Sequence, residues 1–314
     1  MDTLPLELHA QIFAFACSDD GSTAHALALV SKYVREVAAP YRYQSLAISG
    51  MEQMSALVSH LDATPPHLRR VRNLFLSDWT RAQTKERVMR TSEDAQDRYL
   101  LEKTLALRIL TLAAPTLETL TVMVACPYTG PPLLGALFST PMPRLTELAV
   151  HGFYPFPHAP GVMPRLERLH LSGNRNPHGL LELGSLDSAC PSLTHLHVSG
   201  LVAATSFAEE LRSAVLKQSA PLETSLENAT PRTPSSFLAS LPPLLRHITT
   251  EARPLAVSTP RQRGMQLMHS KMLASLRELE SRGDVPARVT VVEGSEDEDV
   301  YSALHHDWQS RLTR

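Results

Sequence analysis

The stretch "PRLERLHL", residues 164–171, decides the fold because its pattern recurs along the chain. A proline is followed two residues later by L-x-x-L-x-[LV]. The same arrangement stands at residues 115–122 ("PTLETLTV"), 143–150 ("PRLTELAV") and 191–198 ("PSLTHLHV"). Proline ends the preceding helix or loop and favours an extended backbone in its neighbour. Each copy therefore predicts a strand that starts just after the proline.

The copies are spaced like structural repeats. Their first leucines lie 28, 21 and 27 residues apart, in or near the range of about 20–29 residues of leucine-rich repeats. An earlier copy begins at Val71 ("VRNLFL") and a weaker one at Leu245 ("LRHITT"). Residues 68–252 resemble irregular leucine-rich repeats. This resemblance implies an α/β solenoid with a parallel concave sheet.

Two intervals do not fit a single repeat. The first, "SEDAQDRYLLEKTLALRILTLA" (92–113), predicts a long helix capped by Ser92. The predicted apolar face of this helix consists of Leu101, Leu105 and Ile109. The second interval, 206–240, contains "SLENATPRTPSS", whose proline, serine and threonine content predicts an irregular loop.

The sequence of the C-terminal end predicts a strand and a helix, with an acidic run between them. "PARVTVVEG" (286–294) alternates apolar and polar residues and predicts a last strand. The residues that follow are apolar in steps of four: Val300, Leu304, Trp308 and Leu312. They predict a capping helix that shields the last repeat, with Trp308 as its anchor. The predicted domains are an N-terminal helical module (1–48), the repeats (49–292) and an acidic segment with this helix (293–314).

Strand alternation assigns one set of side chains to the open face of the sheet. Phe75 and Met123 belong to this set. Seven of its polar members form the predicted substrate-binding face: Glu147, His151, Arg168, His170, His195, His197 and His247. The face can serve as a partner surface, as a merely solvated polar surface, or as a histidine site for zinc in a hydrolase or metalloprotein. Of these interpretations of the face, recognition of another protein is favoured.

Composition and the absence of known motifs limit the classes of function that the sequence supports. The net charge of −2 gives no argument for nucleic acid or an anionic membrane as partner, and no apolar run approaches the roughly 20 residues of a membrane span. Three cysteines without C-x-x-C spacing favour a reducing, intracellular compartment, in cytoplasm or nucleus, over a secreted protein. Phosphate-loop, dinucleotide, zinc-protease and serine-hydrolase motifs do not occur. We therefore predict a non-catalytic protein without a cofactor.

The N-terminus carries two apolar stretches, "LPLELHAQIFAFA" (4–16) and "ALVSKYVR" (28–35), separated by the turn-like "SDDGS". They predict two or three short helices with apolar residues on more than one side. About 45 residues bury too little surface to be stable alone. The module must therefore dock on the repeats, on a partner, or on both.

These two stretches resemble an F-box, with Ser31 where the family usually has cysteine. The resemblance covers roughly residues 2–48 and is closest to fungal F-box proteins with irregular leucine-rich repeats. It implies a substrate-recruiting adaptor of a Skp–cullin–F-box ubiquitin ligase, in which the F-box binds a Skp-family linker, the linker joins a cullin–RING ligase, and the repeats bind an unknown protein substrate. The linker-binding positions that it implies are Leu4, Pro5, Glu7, Leu8, Ile12, Phe13, Leu29, Val30, Tyr33 and Val34. The alternative is a leucine-rich-repeat scaffold whose degenerate F-box has no ligase role.

Overall fold

The structure is a computed structural model that describes residues 4–86, 93–183, 185–219, 239–255, 263–282, 287–294 and 299–312. Within these residues it contains eleven helices and eight strands. The chain divides into two compact units, Met1–Phe153 with Asp297–Arg314, and Tyr154–Glu296. Each unit carries helices and parallel strands, so the predicted α/β class is confirmed.

The first unit begins with three short helices and continues with strands and helices in alternation. Its helices are α1 (Leu6–Ala16), α2 (Ser22–Val30), α3 (Lys32–Ala38), α4 (Gly50–Ala63), α5 (Arg81–Glu86), α6 (Glu93–Ala113), α7 (Gly130–Leu137) and, from the C-terminus, α11 (Val300–Leu312). Its strands are β1 (Ser45–Ser49), β2 (Asn73–Ser77), β3 (Thr119–Met123) and β4 (Glu147–His151). The strands pair in parallel in chain order.

The leucine pattern sets the register of this sheet. Leu74 of β2 lies opposite Leu120 of β3, which lies opposite Leu148 of β4. All three side chains are fully buried, because alternate residues of a strand point to one face and that face is covered by helices. Leu46 of β1 joins the same row, although this strand lies outside the repeats found in the sequence.

The C-terminal helix α11 does not have the predicted capping position at the last repeat. It packs against β2 and β3 of the first unit, where Trp308 and Leu304 form a buried cluster with Phe75 and Met123. Phe75 and Met123 occupy outward positions of their strands and are nevertheless fully buried. The helix lies here because these two large apolar side chains need a cover, which the apolar stripe of α11 provides.

The second unit repeats the alternation of strand and helix. Its strands are β5 (Arg168–Ser172), β6 (His195–Leu201), β7 (His247–Ala252) and β8 (Arg288–Glu293), and its helices are α8 (Leu186–Ala189), α9 (Thr205–Ser219) and α10 (Arg263–Glu280). The strands again pair in parallel in chain order. The last predicted strand is therefore present as β8.

Two further predictions need correction. The irregular loop predicted for 206–240 is wrong over its first part, because α9 extends through residue 219 and buries Phe207, Leu211 and Val215 at helical spacing; residues 220–238 lie outside the described residues. The long helix is present as α6, but Leu101 is exposed and Leu105 half-buried. The buried face is formed by Glu102, Ala106, Ile109, Leu110 and Ala113. The predicted cap, Ser92, lies outside the described residues.

Candidate protein-docking surface

The three N-terminal helices are held by local polar contacts. Asp19, in the turn between α1 and α2, accepts hydrogen bonds from the backbone N–H groups of Gly21 (3.0 Å) and Thr23 (2.9 Å) and from the hydroxyl of Ser22 (2.9 Å). Partial burial on its own would raise the pKa of Asp19, but these hydrogen bonds outweigh it and lower the pKa. Gly21 has a φ of 98°, a left-handed conformation that glycine adopts without strain. The sequence "SDDGS" thus forms a defined turn.

Ser31 ends one helix and begins the next. Its extended backbone separates α2 from α3, and its hydroxyl accepts a hydrogen bond from the backbone N–H of Val34 (3.1 Å). Serine is among the best N-cap residues because its side chain satisfies a free N–H of the first helical turn. The residue that departs from the usual F-box pattern therefore has a clear local role in this chain.

The helices enclose a small core of their own. Phe13, Val34 and Ala38 are buried together, with Leu27 and Tyr41 packed beside them. Phe13 and Val34 are only 4% and 3% exposed. Both were predicted to contact the linker directly. In the structure described, these two side chains lie inside the module and hold α1 and α3 together, so little of either is exposed for direct contact with a linker.

The module is also fixed to the first strand. The buried side chain of Gln44, just before β1, donates a hydrogen bond from Nε2 to the carbonyl of Ala14 (2.8 Å). The backbone N–H of Ala47 donates to the carbonyl of Asp20 (3.2 Å). Both contacts lie within residues 1–48; β1 in turn pairs in parallel with β2 of the repeat region.

Eight large apolar side chains of the module are exposed in the part of the chain that the structure describes. The residues concerned, called the apolar patch below, are Leu4, Leu6, Leu8, Ile12, Phe15, Leu29, Val30 and Tyr33, each at least 43% exposed. Leu8, Ile12 and Phe15 are spaced so that they share one face of α1. Phe15 is 86% exposed and Leu29 69%. Exposed apolar side chains are common singly, whereas a set of this size on one small module makes it the candidate docking surface of the chain.

Most of the predicted linker-binding residues are exposed. Leu4, Leu8, Ile12, Leu29, Val30 and Tyr33 are members of the apolar patch, and Pro5 and Glu7 are exposed beside them. Leu6 and Phe15 were not among the predicted contacts. Phe15 had a signal in the sequence, since it continues the spacing of Leu8 and Ile12; Leu6 had none.

The predicted substrate face divides between the two units. In the first unit, Glu147 of β4 forms an ion pair with Arg311 of α11 (3.4 Å), and His151 is half-buried at the end of the same strand. The outward side of this part of the sheet therefore carries the C-terminal helix. This helix occupies a surface that the sequence pattern had assigned to substrate.

In the second unit the predicted histidines are brought together. His170 and His197 stack with their ring centroids 4.0 Å apart and an angle of 11° between the ring planes. His195 and His247 stack in the same way at 4.6 Å and 19°. Arg168 lies opposite His195 on the neighbouring strand. Nε2 of His197 also lies 3.3 Å from a carboxylate oxygen of Glu251.

These histidines do not gather into a metal site. Across the part of the chain that the structure describes, no group of three or more histidine, cysteine, aspartate or glutamate side chains has a metal-binding arrangement. Parallel stacking turns the ring faces, rather than the nitrogen lone pairs, toward each other.

Among the described residues, none of the helices is both long enough and apolar enough to cross a bilayer. Comparisons with protein-family models, with curated proteins and with solved structures find no significant match to this chain.

Proposed function

We propose that this chain is a non-catalytic, substrate-recruiting adaptor of a Skp–cullin–F-box type ubiquitin ligase. In this proposal the N-terminal module is an F-box that binds a Skp-family linker, and the repeat-like strands and helices behind it bind the substrate. The observation that carries the proposal is the apolar patch. It lies on the same two stretches of sequence that resemble an F-box, and the described residues of the chain leave it exposed.

The patch is sufficient to drive association. Burial of a large apolar side chain that is already half-covered contributes about 1–2 kcal/mol. The free-energy cost of association offsets part of the contribution from these side chains. The burial of several of them is still enough to support a stable complex. A helical linker protein is the kind of partner that accepts a few apolar anchors from a helical face.

The internal contacts of the module favour tight binding because they fix the patch before the partner arrives. The Asp19 turn, the Ser31 cap and the bond from Gln44 to Ala14 hold the three helices in place. A surface that is already ordered loses less conformational entropy on binding than a flexible one. The buried Phe13 and Val34 then act as positioning residues for the exposed anchors.

The mechanism of such an adaptor is proximity. One end of the chain is attached to the ligase and the other holds the substrate, so the effective concentration of substrate at the ubiquitin donor rises. This task requires no acid, base, nucleophile or cofactor in the adaptor. The face of β5–β8 in the second unit is the surface we assign to substrate.

Co-purification tests this proposal. The full chain is expressed with a Skp-family linker and a cullin, and each protein is captured in turn. We expect wild type to retain both, and the variant Leu8→Asp with Ile12→Asp to lose both, since carboxylates cannot be buried in an apolar interface without a large cost.

The control for this experiment is Ser55→Asp with Ser59→Asp, which adds the same charges at the same spacing on exposed positions of α4. It should behave as wild type. If the Leu8 and Ile12 variant retains the linker, or wild type never binds it, the adaptor proposal fails and the scaffold alternative takes its place.

A further inference from the structure

A pocket of about 310 Å³ lies in the first unit, where α6 packs against the loop before α7 and the first turn of α7. The side chains that α6 contributes follow the spacing i, i+3, i+4 and i+7, so they lie on one face of the helix. The pocket shares no residue with the apolar patch or with the predicted substrate-binding face. Its lining includes Gln96, Tyr99, Leu100 and Lys103 of α6, Tyr128 of the loop and Pro132 of α7.

Two of the lining residues are tyrosines that stack on each other. The ring centroids of Tyr99 and Tyr128 lie 5.8 Å apart, with an angle of 28° between the ring planes. Tyr128 nevertheless remains 58% exposed, and Leu100 beside it is 56% exposed. Because stacking already orients the tyrosine rings, a further planar ring can pack against them at little cost in conformational entropy. The pocket therefore suits a ligand that contains a flat ring.

Lys103 is the one charged side chain in the lining of this pocket. Among the described residues its ammonium group has no ion-pair partner, since the neighbouring Glu102 is buried and pairs with Arg98 (3.2 Å). An ammonium group beside apolar and aromatic side chains attracts an anion more strongly than one in open water, because less water screens its charge. A carboxylate can also accept a charge-assisted hydrogen bond from this group.

We propose that this pocket binds a small aromatic anion, a ligand of one or two planar rings that carries a carboxylate. The rings pack against Tyr99 and Tyr128, with Leu100 and Pro132 at their edges, and the carboxylate pairs with Lys103. The volume lies at the lower end of the range of about 300–1,000 Å³ for small-molecule sites. It therefore fits a single small molecule rather than a run of peptide. No step of this inference rests on the proposed adaptor function.

The test is a calorimetric titration of the purified full chain, without linker, near neutral pH. The probe is naphthalene-2-carboxylate, and we expect it to bind with a dissociation constant of about 1 mM or below. The matched neutral probe, naphthalene-2-carboxamide, keeps both rings and lacks the charge. It should bind at least about fivefold more weakly, because it cannot form the ion pair with Lys103.

Two variants separate the contributions of charge and ring stacking. Lys103→Gln should weaken binding of the carboxylate at least about fivefold and leave binding of the carboxamide unchanged. Tyr128→Ala, at an exposed position, should weaken binding of both probes. The control Lys217→Gln replaces an exposed lysine of the second unit and should behave as wild type.

The variant Leu8→Asp with Ile12→Asp distinguishes this pocket from the apolar patch as the place where the naphthalene ring binds. It should bind both probes as wild type does. Because no linker is present in the titration, the outcome is independent of the co-purification experiment. A chain that binds the carboxylate but no linker would keep this inference and lose the adaptor function.

Four results would overturn the inference. The first two are absence of binding by folded wild type and equal affinity of wild type for the two probes. The third is unchanged affinity for the carboxylate in Lys103→Gln or in Tyr128→Ala. The fourth is binding of a fluorescein-labelled decaproline peptide in place of the carboxylate, since proline-rich segments also dock on surfaces lined by aromatic residues.

Discussion

Nδ1 of His9 in α1 lies 3.0 Å from the hydroxyl of Tyr33 in α3. The two rings meet edge to face with their centroids 5.8 Å apart. His9 is buried, whereas Tyr33 is 44% exposed and belongs to the apolar patch. The pair therefore connects the inside of the N-terminal module to the surface on which we propose that the linker binds.

Replacement of Tyr33 by phenylalanine keeps the ring and removes the hydroxyl. We expect the free energy of unfolding to fall by about 1 kcal/mol, because His9 loses a partner while it remains buried. Urea unfolding of the two proteins measures this difference. Equal stabilities would show that the contact between His9 and Tyr33 contributes nothing to the module.

Phe13 and Phe15 form a matched pair in α1, since one is 4% exposed and the other 86%. Phe13→Ala leaves a cavity between α1 and α3 and should cost about 3–5 kcal/mol of stability. Phe15→Ala should change stability by less than about 0.5 kcal/mol but weaken linker binding. Thermal unfolding together with linker binding separates the two effects. The assignment of inside and outside would be wrong if Phe15→Ala were the more destabilising change.

Trp308 fixes the C-terminal helix to the sheet of the first unit, with its ring centroid 5.9 Å from that of Phe75. We expect Trp308→Ala to cost about 3–5 kcal/mol, because it removes the centre of a buried cluster. Val300→Ala, at a 36% exposed position of the same helix, serves as the control and should cost less than about 1 kcal/mol. Similar losses for both variants would contradict the packing described for α11.

His305 makes the stability of this helix dependent on pH. Burial lowers the pKa of His305, nearby Asp20 opposes this effect, and Arg81 and His306 reinforce it. Its ring lies 5.0 Å from that of Phe75. In the unfolded chain a histidine has a pKa of about 6.5, so the unfolded state takes up the proton first as the pH falls. Folding stability is therefore lost below about pH 6.5.

The variant His305→Gln isolates this effect because glutamine does not titrate. The stability advantage of wild type over His305→Gln should shrink between about pH 7 and pH 5. Urea unfolding at several pH values provides the measurement. Parallel curves for the two proteins would show that His305 is not held in its neutral form by the fold.

The strands were predictable from the sequence because they depend on a local rule. In "LERLHL" and its copies, alternate leucines must face one side, and the proline fixes where each strand starts. The position of α11 was not predictable in the same way. Its apolar stripe shows that one face must be covered but not which surface receives it. The receiving surface is indicated by Phe75 and Met123, two large apolar residues at outward positions of their strands that require cover.

The region that carries the apolar patch was predictable from the sequence, but its individual residues were not. Apolar residues occur on several sides of α1 and α3, so periodicity alone does not separate Phe13 and Val34 from Ile12 and Tyr33. The inward side is set by packing against Ala38 and Tyr41, contacts that depend on how the chain turns at Asp19 and Ser31. Strand alternation was enough to predict that the histidines of β5–β7 share one face of the sheet. The stacking of their rings depends on the register between neighbouring strands.

The most direct test of the central claim is a calorimetric titration of the purified full chain with a purified Skp-family linker. The account predicts a one-to-one complex with a dissociation constant in or below about the micromolar range. It also predicts a loss of at least about a hundredfold for the variant Leu8→Asp with Ile12→Asp, and unchanged affinity for the variant Ser55→Asp with Ser59→Asp. No heat of binding from folded wild type, or equal affinities for all three proteins, would contradict it.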